Sequence, residues 1–244
     1  MLGIFDSGIG GLTIARALLR QRPDLGFVYL GDTARVPYGN RSPEVIQQFA
    51  KEDVARLLAE GATHIVIACN TVSAIALPFL RAAFPQTDFI DVITPVAAHV
   101  ASLNLTRVGV IGTRATIHSH AYETALHAHQ PTLEIYARAT PLFVPLIEEG
   151  WTSFPETQRL IRRSLTPLRT KQLDALILGC THYPMMQEQI AHAFQSRVQM
   201  IDTPAIVAAH VCASWNMPNG KQTYIYTDAS ERIRALAQAW LTQT

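Results

Sequence analysis

The sequence predicts an α/β fold of mainly parallel sheets flanked by helices, and three observations support this class. Short runs rich in β-branched and other apolar residues have the length of strands, and amphipathic segments with helix signals separate them. The runs are apolar almost throughout, as strands are when helices cover both faces of a parallel sheet. The predicted strands are residues 3–5, 27–30, 65–68, 108–111, 133–136, 175–178, 198–201 and 224–226.

The segment between the second and third strands carries the clearest helix signals. Ser42 suits an N-cap, Pro43 the first helical position, and Glu44 the first turn, where the helix dipole favours an acid. Gly61 lies where a glycine that ends a helix is expected. The side chains predicted to share one face are Val45, Phe49, Leu57 and Leu58.

A weak internal repeat predicts two pseudo-symmetric α/β domains. LGIFDSG at 2–8 resembles VGVIGTR at 108–114, and IVIACNT at 65–71 resembles LILGCTH at 176–182. The ends of strands are where open α/β sheets bind ligands, so we expect the active site in the cleft between the two domains. The predicted domains are residues 1–93 with 205–244, and residues 94–204.

The composition excludes several classes of protein. Of 244 residues, 48% are hydrophobic and 16% charged, which is typical of a packed chain rather than a disordered one. The 20 basic and 19 acidic residues leave no surplus charge for nucleic acid or a membrane surface. Three cysteines do not make a disulfide framework. Since the first strand begins at once, we expect no signal peptide and a cytoplasmic location.

Two cysteines stand at equivalent places in the repeat. Cys69 and Cys180 each follow an apolar run, and each precedes polar residues, Asn70-Thr71 in one case and Thr181-His182 in the other. A single free cysteine is usually a small buried hydrophobe. The pairing favours a chemical role for both. Cys212, which lies among apolar residues of a helical pattern, is expected only to pack.

Metal and nucleotide sites are not predicted. The cysteines lack CxxC partners and HExxH does not occur, so His118, His120, His127 and His129 are expected on a solvated helix face. The turn at 6–11 has neither the GxGxxG order nor a P-loop lysine. Its glycines still let backbone N–H groups approach a carboxylate at a helix N-terminus.

The turn residues also have simpler interpretations. Asp6 suits a turn or an N-cap, and the loop at 31–39 is typical of a surface turn. Thr113 and Thr116 suit a helix cap. Glu149 suits an exposed helix end.

Six motifs in order carry a resemblance that covers nearly the whole chain. They are DSGIGGL, GDTARVPYG, ACNT, GVIGT, PLFVPLIEEG and GCTHYP, and the tail YTDASERIRALAQAWL continues it. Together they closely resemble the glutamate racemases, the cofactor-independent enzymes of the aspartate/glutamate racemase superfamily. Relatives that act on aspartate or hydantoins share the two cysteines and remain the alternative. Five residues precede Asp6, so we expect no N-terminal regulatory segment.

The resemblance implies a two-base mechanism without cofactor or metal. Cys69 would take the α-proton of D-glutamate and Cys180 that of L-glutamate, with Asp6 and His182 tuning the two thiols. The cysteine pKa is expected to fall from its ordinary value. The substrate-binding residues implied are Asp6, Ser7, Pro37, Tyr38, Gly39, Asn70, Thr71, Thr113, Thr116, Glu149, Thr181 and His182. A homodimer that supplies D-glutamate for peptidoglycan is also implied.

Two further classes of function would use the same residues differently. A thiol hydrolase would need only one of the cysteines, paired with a histidine, and would form an acyl-enzyme. A non-catalytic amino-acid-binding module would retain its affinity without either thiol.

Overall fold

A computed structural model describes residues 1–242 and contains two parallel sheets. The first has the strand order β4-β3-β1-β2-β9 and the second the order β6-β5-β7-β8. The strands are β1 Leu2–Asp6, β2 Phe27–Gly31, β3 His64–Ile67, β4 Asp88–Asp91, β5 Arg107–Gly112, β6 Glu134–Ala139, β7 Ala175–Gly179, β8 Gln199–Ile201 and β9 Gln222–Tyr226.

Helices follow most strands and cover the sheets. They are α1 Leu12–Gln21, α2 Pro43–Ala59, α3 Asn70–Ala83, α4 Ile93–Ser102, α5 Arg114–His118, α6 Ala121–His129, α7 Phe143–Glu148, α8 Pro155–Arg169, α9 Gln187–Ala193, α10 Thr203–Ser214 and α11 Glu231–Thr242. Short 3₁₀ turns occur at Tyr38–Asn40, Trp151–Ser153 and Tyr183–Met186. No helix within residues 1–242 is both long and apolar enough to cross a membrane.

The α/β class is confirmed, and all the predicted strands are present within one to three residues of their predicted ends. The sequence analysis missed β4, whose four residues DFID begin and end with a carboxylate. This strand lies at the edge of the first sheet and pairs only with β3 among the described strands. A short edge strand needs no long apolar run, which is why the pattern gave no signal for it.

The face predicted for α2 is wrong in part. Its buried residues are Ile46, Ala50, Asp53, Val54 and Leu57. Of the four predicted residues only Leu57 is buried, whereas Val45 is 37% exposed. The spacing of the buried set follows the helical repeat, and this repeat places Val45 about 100° from Ile46.

The register of the parallel strands brings the polar turns together. Phe5 pairs with Ile67, so the turns after β1 and β3 leave the first sheet at the same edge. Gly112 pairs with Gly179, so the turns after β5 and β7 also leave the second sheet at one edge. Each sheet therefore presents its ligand-binding edge as the repeat predicted.

The closing strand β9 belongs to the first sheet. It pairs with β2, and the ring of Tyr224 lies 5.5 Å from that of Phe27 and 6.2 Å from that of Tyr29. The chain thus returns to its first sheet after forming the second. The exact domain boundaries, residues 1–93 with 205–244 and residues 94–204, stay a prediction.

One apolar core continues from the first sheet into the second. It includes Ile4 of β1 and Leu12 of α1, and it runs through Val96 of α4 to Val110 and Leu176 of the second sheet. A smaller core fills the space between the other face of the first sheet and the helices α2 and α3. The two sheets are therefore held together by buried apolar contact and not by a polar seam alone.

Gly10 lies at a close approach between the turn after β1 and the turn after β7. A Cβ at this position would lie 2.2 Å from Thr181 Oγ1 and 2.5 Å from His182 Nδ1. Real Cβ contacts are never so short, so any side chain at residue 10 must push the two turns apart.

We predict that Gly10→Ala lowers the free energy of unfolding by about 1–3 kcal/mol, because the extra methyl group has no space. The matched control is Gly220→Ala, where the nearest atom to a new Cβ is Gly26 Cα at 3.5 Å. The free energy of unfolding of Gly220→Ala should stay within about 1 kcal/mol of the parent value. Urea unfolding of the three proteins measures the difference. Equal midpoints for both variants would contradict the close approach.

Candidate active site

A cavity of about 200 Å³ lies where the ligand-binding edges of the two sheets face each other. Both Cys69 and Cys180 line it, so the structure brings the two predicted thiols into one site. The other predicted residues that line the cavity are Ser7, Pro37, Tyr38, Gly39, Asn70, Thr71, Thr113, Glu149, Thr181 and His182. Asp6 and Thr116 do not line it, but both lie buried directly behind residues that do.

Cys69 is the N-cap residue of α3 and is 5% exposed. Its sulfur lies 3.1 Å from Ser7 Oγ. Burial and the nearby Asp6 carboxylate raise the pKa of the thiol to about 12, although bonds from Ser7 and the Val72 N–H oppose the shift. The expected fall in pKa is therefore wrong for Cys69, because burial outweighs the helix dipole.

Cys180 follows β7 directly and has a different environment. Its sulfur lies 4.0 Å from Nδ1 of His182, while Nε2 of the same ring lies 3.0 Å from Glu148 Oε1. Cys69 is followed directly by a long helix, whereas Cys180 precedes only the 3₁₀ turn Tyr183–Met186. A short turn has little dipole, so the local positive charge here comes from the imidazole instead.

His182 is held as a cation. Burial alone would lower its pKa, but the Cys180 sulfur and the Glu148 carboxylate raise the pKa to about 10. The ring is 6% exposed and packs edge-on against Trp240 of α11, with centroids 5.2 Å apart. This imidazolium lies where it stabilises negative charge on the Cys180 sulfur.

Asp6 ends β1 and connects the two halves of the site. It accepts hydrogen bonds from the Gly8 N–H at 2.9 Å and from Thr181 Oγ1 at 3.3 Å. Burial raises the pKa of this carboxyl, whereas the charge of His182 and the backbone bonds lower it. Because Asp6 is 1% exposed and set behind the cavity wall, its position favours an electrostatic role over direct contact with a ligand.

The loop after β2 forms one wall with Pro37, Tyr38 and Gly39. The hydroxyl of Tyr38 points away from the ligand space and lies between the carboxylates of Asp32 and Asp53, 2.9 Å from the latter. Tyr38 can therefore offer a ligand its backbone or ring edge but not its hydroxyl. Gly39 packs so tightly on Thr113 that a Cβ would lie 2.6 Å from the threonine Cβ.

Asn70 and three threonines supply hydrogen-bonding groups. Asn70 Oδ1 accepts a bond from the Tyr122 hydroxyl at 2.7 Å, but its Nδ2 is buried with no partner within residues 1–242. The hydroxyls of Thr71, Thr113 and Thr116 lie within 3.3 Å of one another across the cleft. An unpaired amide and a hydroxyl cluster are suited to bind a carboxylate.

Glu148 is the main functional candidate that sequence reasoning missed. The prediction named Glu149, which lines the cavity but is 57% exposed at its side chain and pairs with Arg232 at 2.7 Å. Successive residues at the end of a helix point about 100° apart, and only the folded structure shows which one contacts His182. Other lining residues that we did not predict are Val36, Asn40, Arg114, Pro141, Val144, Pro145 and Tyr183.

No metal site is formed by the described residues. Within residues 1–242 no three His, Cys, Asp or Glu side chains are grouped closely enough to hold an ion. Of the four histidines in the region 118–129, His120 pairs with Glu123 and His127 contacts the Leu133 carbonyl.

Comparison with known proteins agrees with this arrangement. The chain is 42% identical to the glutamate racemase of Chlorobaculum tepidum over 209 residues, which covers 85% of this chain and 77% of that protein. It is 39% identical to the glutamate racemase of Shouchella clausii over 251 residues, covering 98% and 90% of the two chains.

A solved structure shows the same fold. The crystal structure of glutamate racemase from Francisella tularensis in complex with D-glutamate matches with a TM-score of 0.92 and 36% identity, covering 99% of this chain and 93% of that one. The sequence model of the Asp/Glu/Hydantoin racemase family matches residues 13–211, a range that includes both cysteines and the whole second sheet. The chain belongs to the Asp/Glu/Hydantoin racemase family.

Proposed function

We propose that this protein interconverts L- and D-glutamate without a cofactor, and that Cys69 and Cys180 act as two bases on opposite faces of the α-carbon. The observation that carries the proposal is the presence of both sulfurs in one cavity of about 200 Å³. Relatives named glutamate racemase at about 40% identity support the choice of substrate.

Racemisation requires removal of a weakly acidic α-proton and delivery of another to the opposite face. With L-glutamate, the Cys180 thiolate takes the proton, and the C–H electron pair moves into the α-carboxylate. The Cys69 thiol then donates its proton to the α-carbon, which gives D-glutamate and leaves Cys69 as the thiolate. The reverse reaction exchanges the two roles, and general acid–base help of this kind contributes ~10²–10⁴-fold.

The two cysteines lie in different electrostatic environments. Cys69, with a pKa raised to about 12, is a thiol at neutral pH. Cys180 lies 4.0 Å from Nδ1 of the His182 imidazolium, whose positive charge stabilises negative charge on the sulfur when Cys180 acts as the base. The ammonium group of a bound amino acid adds the positive charge that Cys69 needs when it acts as the base.

The carboxylates of the substrate have partners ready in the cleft. The unpaired Nδ2 of Asn70 and the hydroxyls of Thr71 and Thr113 suit one carboxylate, and the hydroxyls of Ser7 and Thr181 suit the region nearer the sulfurs. Fixed donors around the α-carboxylate stabilise the charge that develops there. In the proposed reaction the substrate carboxylate itself accepts the electron pair, so no electron-accepting cofactor is needed.

The proposed role of the product is to supply D-glutamate for peptidoglycan in the cytoplasm, as the resemblance implies. Aspartate or hydantoin racemisation remains the alternative within the family. A thiol hydrolase is disfavoured by the second sulfur in the cavity, and a binding module by the charge arrangement at Cys180. Turnover of L-glutamate, L-aspartate and a 5-substituted hydantoin, measured side by side, separates the racemase alternatives.

We predict that Cys69→Ala and Cys180→Ala each reduce racemisation of both enantiomers by at least about 10²-fold, because each direction needs one acid and one base. The measurement is the decay of the circular-dichroism signal of D- or L-glutamate with no added cofactor. Cys212→Ala is the matched control, since this cysteine lies on α10 outside the cavity. It should retain the parent rate.

A variant at either cavity cysteine that racemises near the parent rate would contradict the two-base mechanism. Loss of activity in only one of the two cysteine variants would favour a thiol hydrolase. A parent protein that binds glutamate but does not racemise it would favour the binding module.

We predict that Glu148→Gln shifts the alkaline limit of activity to lower pH. The variant lacks the carboxylate that helps to raise the pKa of His182 to about 10, so the imidazolium is lost at a lower pH as the solution becomes more alkaline. A fall of one pKa unit corresponds to a tenfold change in the protonation ratio. The pH profile of kcat from pH 6 to 10 measures the shift.

Glu149→Gln is the control for this experiment, because Glu149 pairs with exposed Arg232 instead of His182. Its profile should match that of the parent. If the two variants have the same alkaline limit, the contact between Glu148 and His182 does not set the charge of the site.

We propose that the protein forms a homodimer through an apolar patch beside the cavity. The patch consists of Leu142, Trp151 and Phe154, which are 54%, 51% and 50% exposed, and the two aromatic rings lie 5.4 Å apart. Large apolar side chains grouped on a surface favour burial against a partner.

We predict that light scattering gives twice the mass of one chain for the parent. Trp151→Lys should weaken the dimer measurably, since it places a charge in the apolar patch. Val45→Lys, at an exposed apolar position on α2, is the control and should leave the dimer unchanged. A monomeric parent at micromolar concentration would overturn this proposal.

A further inference from the structure

A second concave surface opens next to the candidate active site and carries positive charge. It is a groove of about 520 Å³ between the start of α2 and the start of α5. We call it the basic groove. The residues that line it are Gly39, Asn40, Arg41, Pro43, Ile46, Ile75, Arg114, Ala115, His118 and Ser119. Among these described residues there are two arginines and a histidine, and none is acidic.

The basic groove adjoins the active-site cavity. Gly39, Asn40 and Arg114 line both spaces. Arg114 belongs to the second sheet's side of the cleft and donates from Nη1 to Asn40 Oδ1 at 3.3 Å, so the contact crosses the mouth. A ligand that enters from the groove therefore passes the guanidinium before it reaches the sulfurs.

The charges of Arg41 and Arg114 are not neutralised by their neighbours. Neither forms an ion pair within the described part of the chain. Within residues 1–242, the Arg114 side chain hydrogen-bonds the neutral amide of Asn40. Glu44, which is close to Arg41 in sequence, hydrogen-bonds Ser42 and does not line the groove.

The acidic residues of the active-site cavity are already paired. Glu148 contacts His182 and Glu149 contacts Arg232. Each of these pairs is neutral, which leaves Arg114 as a cation without an acidic partner among the described residues that line the cavity. Its charge lies at the mouth, and a positive charge raises the local concentration of anions.

We propose that the basic groove is the entrance for the substrate, and that Arg114 attracts the dicarboxylate by its charge without taking part in proton transfer. The inference rests on the proposed function, because glutamate with two carboxylates and one ammonium group carries a net negative charge.

The test is a salt series with charge variants. KM and kcat are measured for the parent, Arg114→Gln, Arg114→Lys and Arg41→Gln at 20 and 300 mM NaCl. In Arg114→Gln, KM should rise about three- to tenfold at low salt, the size expected for one unit charge several ångströms from an anion near a protein surface. At high salt the ratio to the parent should fall below about twofold, because the Debye length shortens.

The other variants separate attraction by charge from a structural role. Arg114→Lys keeps the charge but changes the geometry of the bond to Asn40, so its KM at low salt should stay within about twofold of the parent. Arg41→Gln should show a smaller effect of the same sign, since it lines only the basic groove. Arg169→Gln is the matched control, because Arg169 is exposed in a separate groove at the end of α8. Its KM should equal the parent value at both salt concentrations.

Three results would overturn the proposal. They are an unchanged KM for Arg114→Gln at low salt, an increase that does not depend on salt, and an Arg114→Lys variant as impaired as Arg114→Gln. Calorimetric binding of D-glutamate to the Cys69→Ala protein, with and without Arg114→Gln, in the same salt series tests the entrance without turnover. If the parent binds glutamate with this salt dependence but does not racemise it, the proposed function fails while the entrance stands.

Discussion

The close contact between the turn after β1 and the turn after β7 is the constraint on which the site depends. Thr181 donates to Asp6 across this contact, Thr13 donates to the Thr181 carbonyl at 3.2 Å, and Gly10 leaves room for His182. Because the two turns are packed without space between them, the edges of both sheets face one cavity. Any separation of the turns would move Cys180 away from Cys69 and would disturb the cation beside it.

Symmetry of the fold does not extend to the electrostatics of the two thiols. The repeat places both cysteines after apolar strands, but Cys69 caps a 14-residue helix while Cys180 precedes a short 3₁₀ turn. Burial dominates at Cys69 and keeps its proton, whereas His182 and Glu148 supply the compensating charge at Cys180. The two proposed bases therefore have different surroundings, since Cys69 is buried near a carboxylate and Cys180 lies beside a cation.

The fold class, most strands and the shared cavity of the two cysteines could be predicted from the sequence, because apolar runs and an internal repeat indicate them directly. Other features depend on contacts that only folding creates. The strand Asp88–Asp91 has charged ends, so its apolar pair was too short to indicate a strand. The choice between Glu148 and Glu149 depends on a rotation of about 100° at the end of a helix. The raised pKa of Cys69 depends on burial among distant segments, which no local pattern reports.

The most direct test of the two-base account is the position of solvent deuterium early in the reaction. L-Glutamate is incubated with the protein in D₂O, the enantiomers are separated at low conversion, and the label at the α-carbon of each is measured by mass spectrometry. The account predicts deuterium mainly in the D-enantiomer, because the proton removed stays on Cys180 while Cys69 delivers one already exchanged with solvent. Equal label in both enantiomers from the first turnovers would show a single base and would contradict it.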